Sequence, residues 1–124
     1  MTEDELQQLL DASLPAADRH DVFVEECGEQ DVRLRFSPPA GGTWSGAALL
    51  AVVDTSLRAV AGVEAELTHL SLTRLKPAQP GDAIVLARVL KRDRATVHAE
   101  AWLFSHAVID AAMHATATLQ AADR

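Results

Sequence analysis

Ser45-Gly46-Ala47-Ala48-Leu49-Leu50-Ala51-Val52-Val53-Asp54-Thr55-Ser56-Leu57-Arg58-Ala59-Val60-Ala61-Gly62 is the stretch that decides the fold. It reads as one helix over 46–61. Ser45 is suited to cap its N-terminus, and Gly62 suits the position just past its C-terminal end. At 100° per residue, Leu49, Leu50, Val53, Leu57 and Val60 fall on one side. Ala47, Ala51, Asp54 and Arg58 fall on a second side built mainly of small residues. A helix with so little polar surface is expected to be buried. The longest apolar run in it, Ala47 to Val53, is far shorter than the roughly 20 residues a membrane span needs.

Outward from this helix the pattern changes to strands. Val22 to Glu26 and Val32 to Phe36 precede it, separated by Gly28-Glu29-Gln30-Asp31. Val32, Leu34 and Phe36 alternate with Arg33 and Arg35, so one face of that strand is buried and the other wet. Ser37-Pro38-Pro39-Ala40-Gly41-Gly42 is a loop. After the helix, strands are expected at 66–75, 83–90, 95–104 and 107–119. Lys76 to Asp82 forms a turn with two prolines, and Lys91-Arg92-Asp93-Arg94 a charged hairpin turn. Before the first strand, Leu6, Leu9 and Leu10 mark a short helix over 3–12, with Thr2 and Glu5 as a capping box. Leu14-Pro15 ends it.

Two strands, one apolar helix and four further strands make an α+β pattern. A curved antiparallel sheet of five to six strands would take up the apolar stripe of the central helix. The small-residue face would remain for a second copy of the chain. Residues 1–124 read as one domain, with 1–20 as an N-terminal helix and lead-in.

Composition narrows the function. With 18 Asp plus Glu against 11 Lys plus Arg, the net charge is −7, which disfavours nucleic acid as a partner. Cys27 is the sole cysteine, so neither an intrachain disulfide nor a cysteine metal cluster is available. The acidic start Met1-Thr2-Glu3-Asp4-Glu5 is unlike a signal peptide, and a cytoplasmic setting without membrane association is expected.

The segment Gly42-Thr43-Trp44-Ser45-Gly46, continuing through the apolar helix to Val53-Asp54-Thr55, resembles the signature of PaaI-like hotdog-fold thioesterases, in the acyl-CoA thioesterase superfamily. The segment Leu70-Ser71-Leu72-Thr73-Arg74-Leu75-Lys76-Pro77-Ala78-Gln79-Pro80-Gly81-Asp82 is similar to a second motif of that family. The resemblance spans about residues 22 to 119. It implies a hotdog fold and hydrolysis of an acyl-CoA to a free acid and coenzyme A, with no metal or redox cofactor. The backbone N–H groups of Gly46 and Ala47 would polarise the thioester carbonyl. Asp54 would act as general base or nucleophile, working across the interface of a homodimer or homotetramer. Ser45, Thr55, Arg58 and Lys76 are the residues expected to bind substrate.

The chain departs from the family pattern at two positions. Ser45 stands where many members carry His, and Pro39 lies near where many carry Asn or Gln. A non-catalytic acyl-CoA-binding or ligand-sensing protein is therefore the alternative, and a structural module without ligand is the third reading. Asp54 has a simpler reading too, as a surface acid paired with Arg58 at i+4. His98, Glu100 and His114 share one face in the expected strand pairing. Trp102 and Phe104 share that face, so the cluster reads as a packing or surface patch with no metal.

Overall fold

The computed structural model describes residues 1–15, 20–39 and 41–121. Residues 16–19 of the expected lead-in, and Ala40 of the loop, lie outside the described residues. The elements in chain order are α1 (Glu3–Ser13), β1 (Phe23–Cys27), β2 (Asp31–Phe36), α2 (Gly46–Ala61), β3 (Glu66–Arg74), β4 (Ala83–Arg92), β5 (Thr96–Ser105) and β6 (Met113–Gln120). The strands form one six-stranded sheet in the order β1-β2-β4-β5-β6-β3, with every neighbouring pair antiparallel.

The strands alternate between an apolar inner face, which packs on α2, and a wetter outer one. Leu34, Val85, Val97, Ala99, Leu103, Ala115 and Leu119 point inward, where Leu49, Val52, Val53 and Leu57 of α2 complete the core. Alanines in the inner positions of β5 and β6 let the helix lie close to the sheet. The sheet covers more of α2 than the apolar arc alone suggested. Thr55 and Ser56 are buried as well, and Ser56 Oγ donates to Val52 O at 2.9 Å. Leu50, expected on the core side, is instead 47% exposed. It lies at the edge of the apolar arc, beside the strip that the sheet leaves open: Ala47, Leu50, Ala51, Asp54 and Arg58.

The two edges of the sheet are finished differently. Along β1, Gln7 of α1 donates from its side chain to Val22 O at 2.9 Å and accepts from Val24 N at 2.8 Å. Glu3 accepts from Cys27 N at 3.2 Å. The helix thereby takes the place of a further strand, and its capping box is formed by Thr2 and Glu5. Leu6 and Leu10 anchor it, while Leu9 remains exposed. At the other edge, β3 pairs with β6 alone, and among the described residues nothing covers its outer side. A nine-residue open edge is a ready template for pairing with another chain.

Two strand boundaries differ from the sequence expectation by more than one residue. β4 continues through Lys91 and Arg92, helped by an irregularity between Val89 and Lys91, so the turn to β5 is tighter than the charge run implied. The last strand begins at Met113, well after Ala107. Ala107 adopts φ 63° and the following residues form a loop, with Ile109 92% exposed. The apolar run Ala107-Val108-Ile109 carried a strand signal by composition, but the backbone turns at Ala107 and closes only where Ala112 N donates to Leu103 O at 2.7 Å.

Candidate active site

The N-terminus of α2 presents free donors. Ser45 Oγ accepts from Ala48 N at 3.1 Å, and Ser45 O accepts from Leu49 N at 3.0 Å. Among the described residues the N–H groups of Gly46 and Ala47 have no partner, and both residues are exposed. A Cβ placed on Gly46 would meet nothing within 4 Å. The helix therefore offers two amides with the positive end of its dipole behind them, a suitable arrangement for a carbonyl oxygen that gains negative charge.

Asp54 and Arg58 lie further along the same open strip. They form an i,i+4 ion pair at 3.4 Å, with side chains about one-third exposed. Arg58 Nε is buried and has no hydrogen-bond partner among the described residues. The guanidinium thus retains an unused donor beside the carboxylate.

Eight residues separate Gly46 from Asp54, about 12 Å along the helix axis. A carbonyl held by the Gly46 and Ala47 amides is out of reach of the Asp54 carboxylate on the same helix. The two parts can act on one thioester only if they come from different copies of the chain. A groove of about 930 Å³ does open within the single chain, but it lies at the C-terminal end of α2. It is lined by Val60, Gly62, Val63, Arg92 and Arg94 among others, and includes neither Asp54 nor the helix N-terminus.

The other residues expected to bind substrate fare differently. Ser45 is at the helix N-terminus, but its hydroxyl is engaged as the cap. Thr55 is buried, outside the open strip. Lys76 pairs with Asp110 at 2.7 Å on the surface, and among the described residues no hydrogen bond or ion pair joins its side chain to α2. Pro39 contributes its carbonyl to a turn, accepting from Gly42 N at 3.0 Å.

The outer face of the sheet carries a separate polar cluster. The true β5–β6 register sets His98 opposite Thr118 and His114 opposite Trp102, so the two histidines are not adjacent. His98 Nδ1 instead lies 3.2 Å from Thr118 Oγ1. Glu100 is nearly buried between His114, whose Nε2 is 2.9 Å from its Oε1, and Arg88, which donates to its Oε2. Trp102 stacks on the His114 ring with centroids 3.9 Å apart. Arg88 was the member missed from sequence. The signal lay in the alternation of β4, which puts it on the wet face, but its partner depends on the β4–β5 register. Among the described residues no three His, Cys, Asp or Glu side chains form a group able to hold a metal ion.

The hydrogen bond from His114, reinforced by Arg88, holds the Glu100 carboxyl below its ordinary value of 4.5, against the opposing effect of burial. A depressed folded-state pKa stabilises the protein above the unfolded value and loses that contribution as pH falls through the folded one. The urea midpoint is therefore expected to decline below about pH 4.5, and part of that decline should be missing in Glu100→Gln. Equal declines in the two proteins would show that the cluster contributes nothing to acid sensitivity.

This architecture, a long helix held in the curve of a six-stranded antiparallel sheet, is the hotdog fold. Solved structures share it over nearly their whole length. A protein from Silicibacter sp. TM1040, provisionally described as a thioesterase, is 24% identical, with 97% of this chain and 91% of that chain covered and a TM-score of 0.83. Thioesterase superfamily member 2 of zebrafish is 21% identical, with 97% and 98% covered and a TM-score of 0.80. A hypothetical thioesterase protein of Streptococcus pneumoniae, solved with coenzyme A, is 12% identical, with 95% and 98% covered and a TM-score of 0.80. No family model and no curated protein matches the sequence. At these identities the likeness concerns the fold.

Among the described residues no helix is long and apolar enough to cross a membrane.

Proposed function

We propose that the protein hydrolyses acyl-CoA thioesters, releasing a carboxylic acid and coenzyme A, at sites shared between two copies of the chain. The observation that carries this reading is the open strip of α2. It holds two unpartnered amides at one end and a carboxylate about 12 Å away. Antiparallel association of two such helices sets the amides of each near the acid of the other. The open β3 edge supplies a natural place for the two sheets to join, and a dimer, or a dimer of dimers, follows. Coenzyme A bound to a protein of the same fold supports the choice of thiol.

In the proposed reaction the carbonyl oxygen accepts hydrogen bonds from Gly46 and Ala47 of one copy. Asp54 of the other removes a proton from water as the water oxygen attacks the carbonyl carbon. The carbon–sulfur bond then breaks, and the departing thiolate takes up a proton. Attack by the Asp54 carboxylate itself, through an anhydride that water cleaves, uses the same geometry. Arg58 would orient Asp54 through their ion pair.

A non-catalytic acyl-CoA-binding protein is the second reading. It is favoured by the engagement of Ser45 as a cap and by Pro39, which lacks a side-chain donor to position water. Thiol release separates the two. Across short-chain, long-chain and aryl acyl-CoAs, at least one substrate is expected to turn over well above the uncatalysed rate. Binding seen by calorimetry without any thiol release would decide for the second reading.

A further inference from the structure

The two sequence stretches that flank α2 and β4 meet in space at one residue. Trp44 Nε1 donates to Gly81 O at 2.8 Å, and Gly81 N donates to Gly42 O at 3.1 Å. Gly81 is thus gripped from both sides by the segment that leads into the Ser45 cap. Both glycines have left-handed backbones, with φ 100° at Gly81 and 77° at Gly42, while a Cβ on either would meet nothing within 4 Å. The backbone shape of the grip, rather than lack of room, calls for glycine.

The Gly81 turn is itself tied to the sheet. Gln79 N donates to the buried Ser105 Oγ at 2.9 Å, and His106 N donates to Asp82 O at 3.0 Å. A continuous path of hydrogen bonds therefore runs from the end of β5, through the β3–β4 turn, to the indole one residue before the helix cap. The His20 ring lies beside the indole and tilted to it, with centroids 5.6 Å apart.

We infer that Trp44 is a positioning residue, which clamps the N-terminus of α2 to the Gly81 turn and so aims the Gly46 and Ala47 amides. This rests on the reading of those amides as the carbonyl-binding donors. Helix ends fray when nothing holds them, and a donor misplaced by a fraction of an ångström loses much of its effect on a developing charge. Sheet-anchored indole geometry keeps the two amides in place before substrate arrives.

Trp44→Phe keeps most of the ring packing and removes the donor. Amide hydrogen exchange in the otherwise intact protein reads the clamp without relying on activity. Exchange at Ala48 and Leu49, whose amides bond to Ser45, is expected to speed up about five- to tenfold. Exchange at Ala99 and Ala101 in β5 is expected to stay unchanged. In thiol release, kcat should fall about tenfold with KM nearly constant, the mark of a loss confined to the transition state. Unchanged exchange at Ala48 and Leu49 overturns the clamp. So does acceleration that extends to Ala99 and Ala101, which assigns Trp44 to general packing. If the local acceleration occurs but the wild-type protein releases no thiol, the clamp stands and the hydrolytic reading fails. A fall in KM-limited binding without a fall in kcat overturns the positioning role.

Discussion

Asp54→Asn is expected to fold and assemble as the wild type does, to bind acyl-CoA at similar strength, and to lose at least about 100-fold in turnover. The substitution keeps the shape of the side chain and its place on the open strip of α2, and it removes the base or nucleophile. Asp54 is only one-third exposed, and among the described residues its one charged partner is Arg58. Loss of a surface pair of this kind is worth little to stability, so a large effect on rate cannot be ascribed to unfolding. Thr55→Val is the control. Thr55 is the buried neighbour, and its variant tests whether any disturbance of this part of the helix is harmful. Equal losses in the two variants assign the effect to structure. Full turnover in Asp54→Asn leaves Asp54 as an ordinary helix acid paired with Arg58.

The second large effect is expected at the other end of the strip. Proline is well tolerated at the first position of a helix, because the N–H it lacks has no helical partner there. Gly46 occupies that position, space for a side chain is open beside it, and Ser45 already has the extended backbone that a following proline requires. Gly46→Pro therefore removes one proposed carbonyl donor while leaving the helix intact. Turnover is expected to fall about 100-fold, the usual consequence of losing one such donor. The melting temperature should move by no more than about 2 °C. Gly46→Ala, which retains the N–H, should lose far less. A Gly46→Pro enzyme with wild-type turnover would exclude the Gly46 amide from the reaction.

Much of this site was legible in the sequence, because it lies on a single helix. Ser45 and Gly62 mark the ends of α2, and the spacing from Gly46 to Asp54 carries both the family resemblance and the separation of donors from acid. Leu50 was assigned to the wrong side, since periodicity alone does not say how far the sheet wraps around the helix. Features that depend on two segments at once were not legible. The bond between Trp44 and Gly81 joins residues far apart in the chain. His98 falls outside the Glu100 cluster because the β5–β6 register is set by a loop whose apolar residues imitate a strand, and Arg88 joins it through the β4–β5 register. Thr55 and Lys76 were attractive by position in the motifs, but burial removes the first from the open strip and Asp110 engages the second.

If each active site takes its amides from one chain and its acid from another, two disabled proteins should restore each other when mixed. Gly46→Pro and Asp54→Asn chains, each inactive alone, are unfolded together, refolded as a mixture, and checked for mixed dimers by native mass spectrometry. In a mixed dimer, one site receives both defects and the other receives neither. Random pairing makes about half the dimers mixed, so thiol release should return to about a quarter of the wild-type rate per chain. A mixture that contains mixed dimers and stays as inactive as its components would contradict the account, because the amides and the acid would then have to serve from the same chain or not at all.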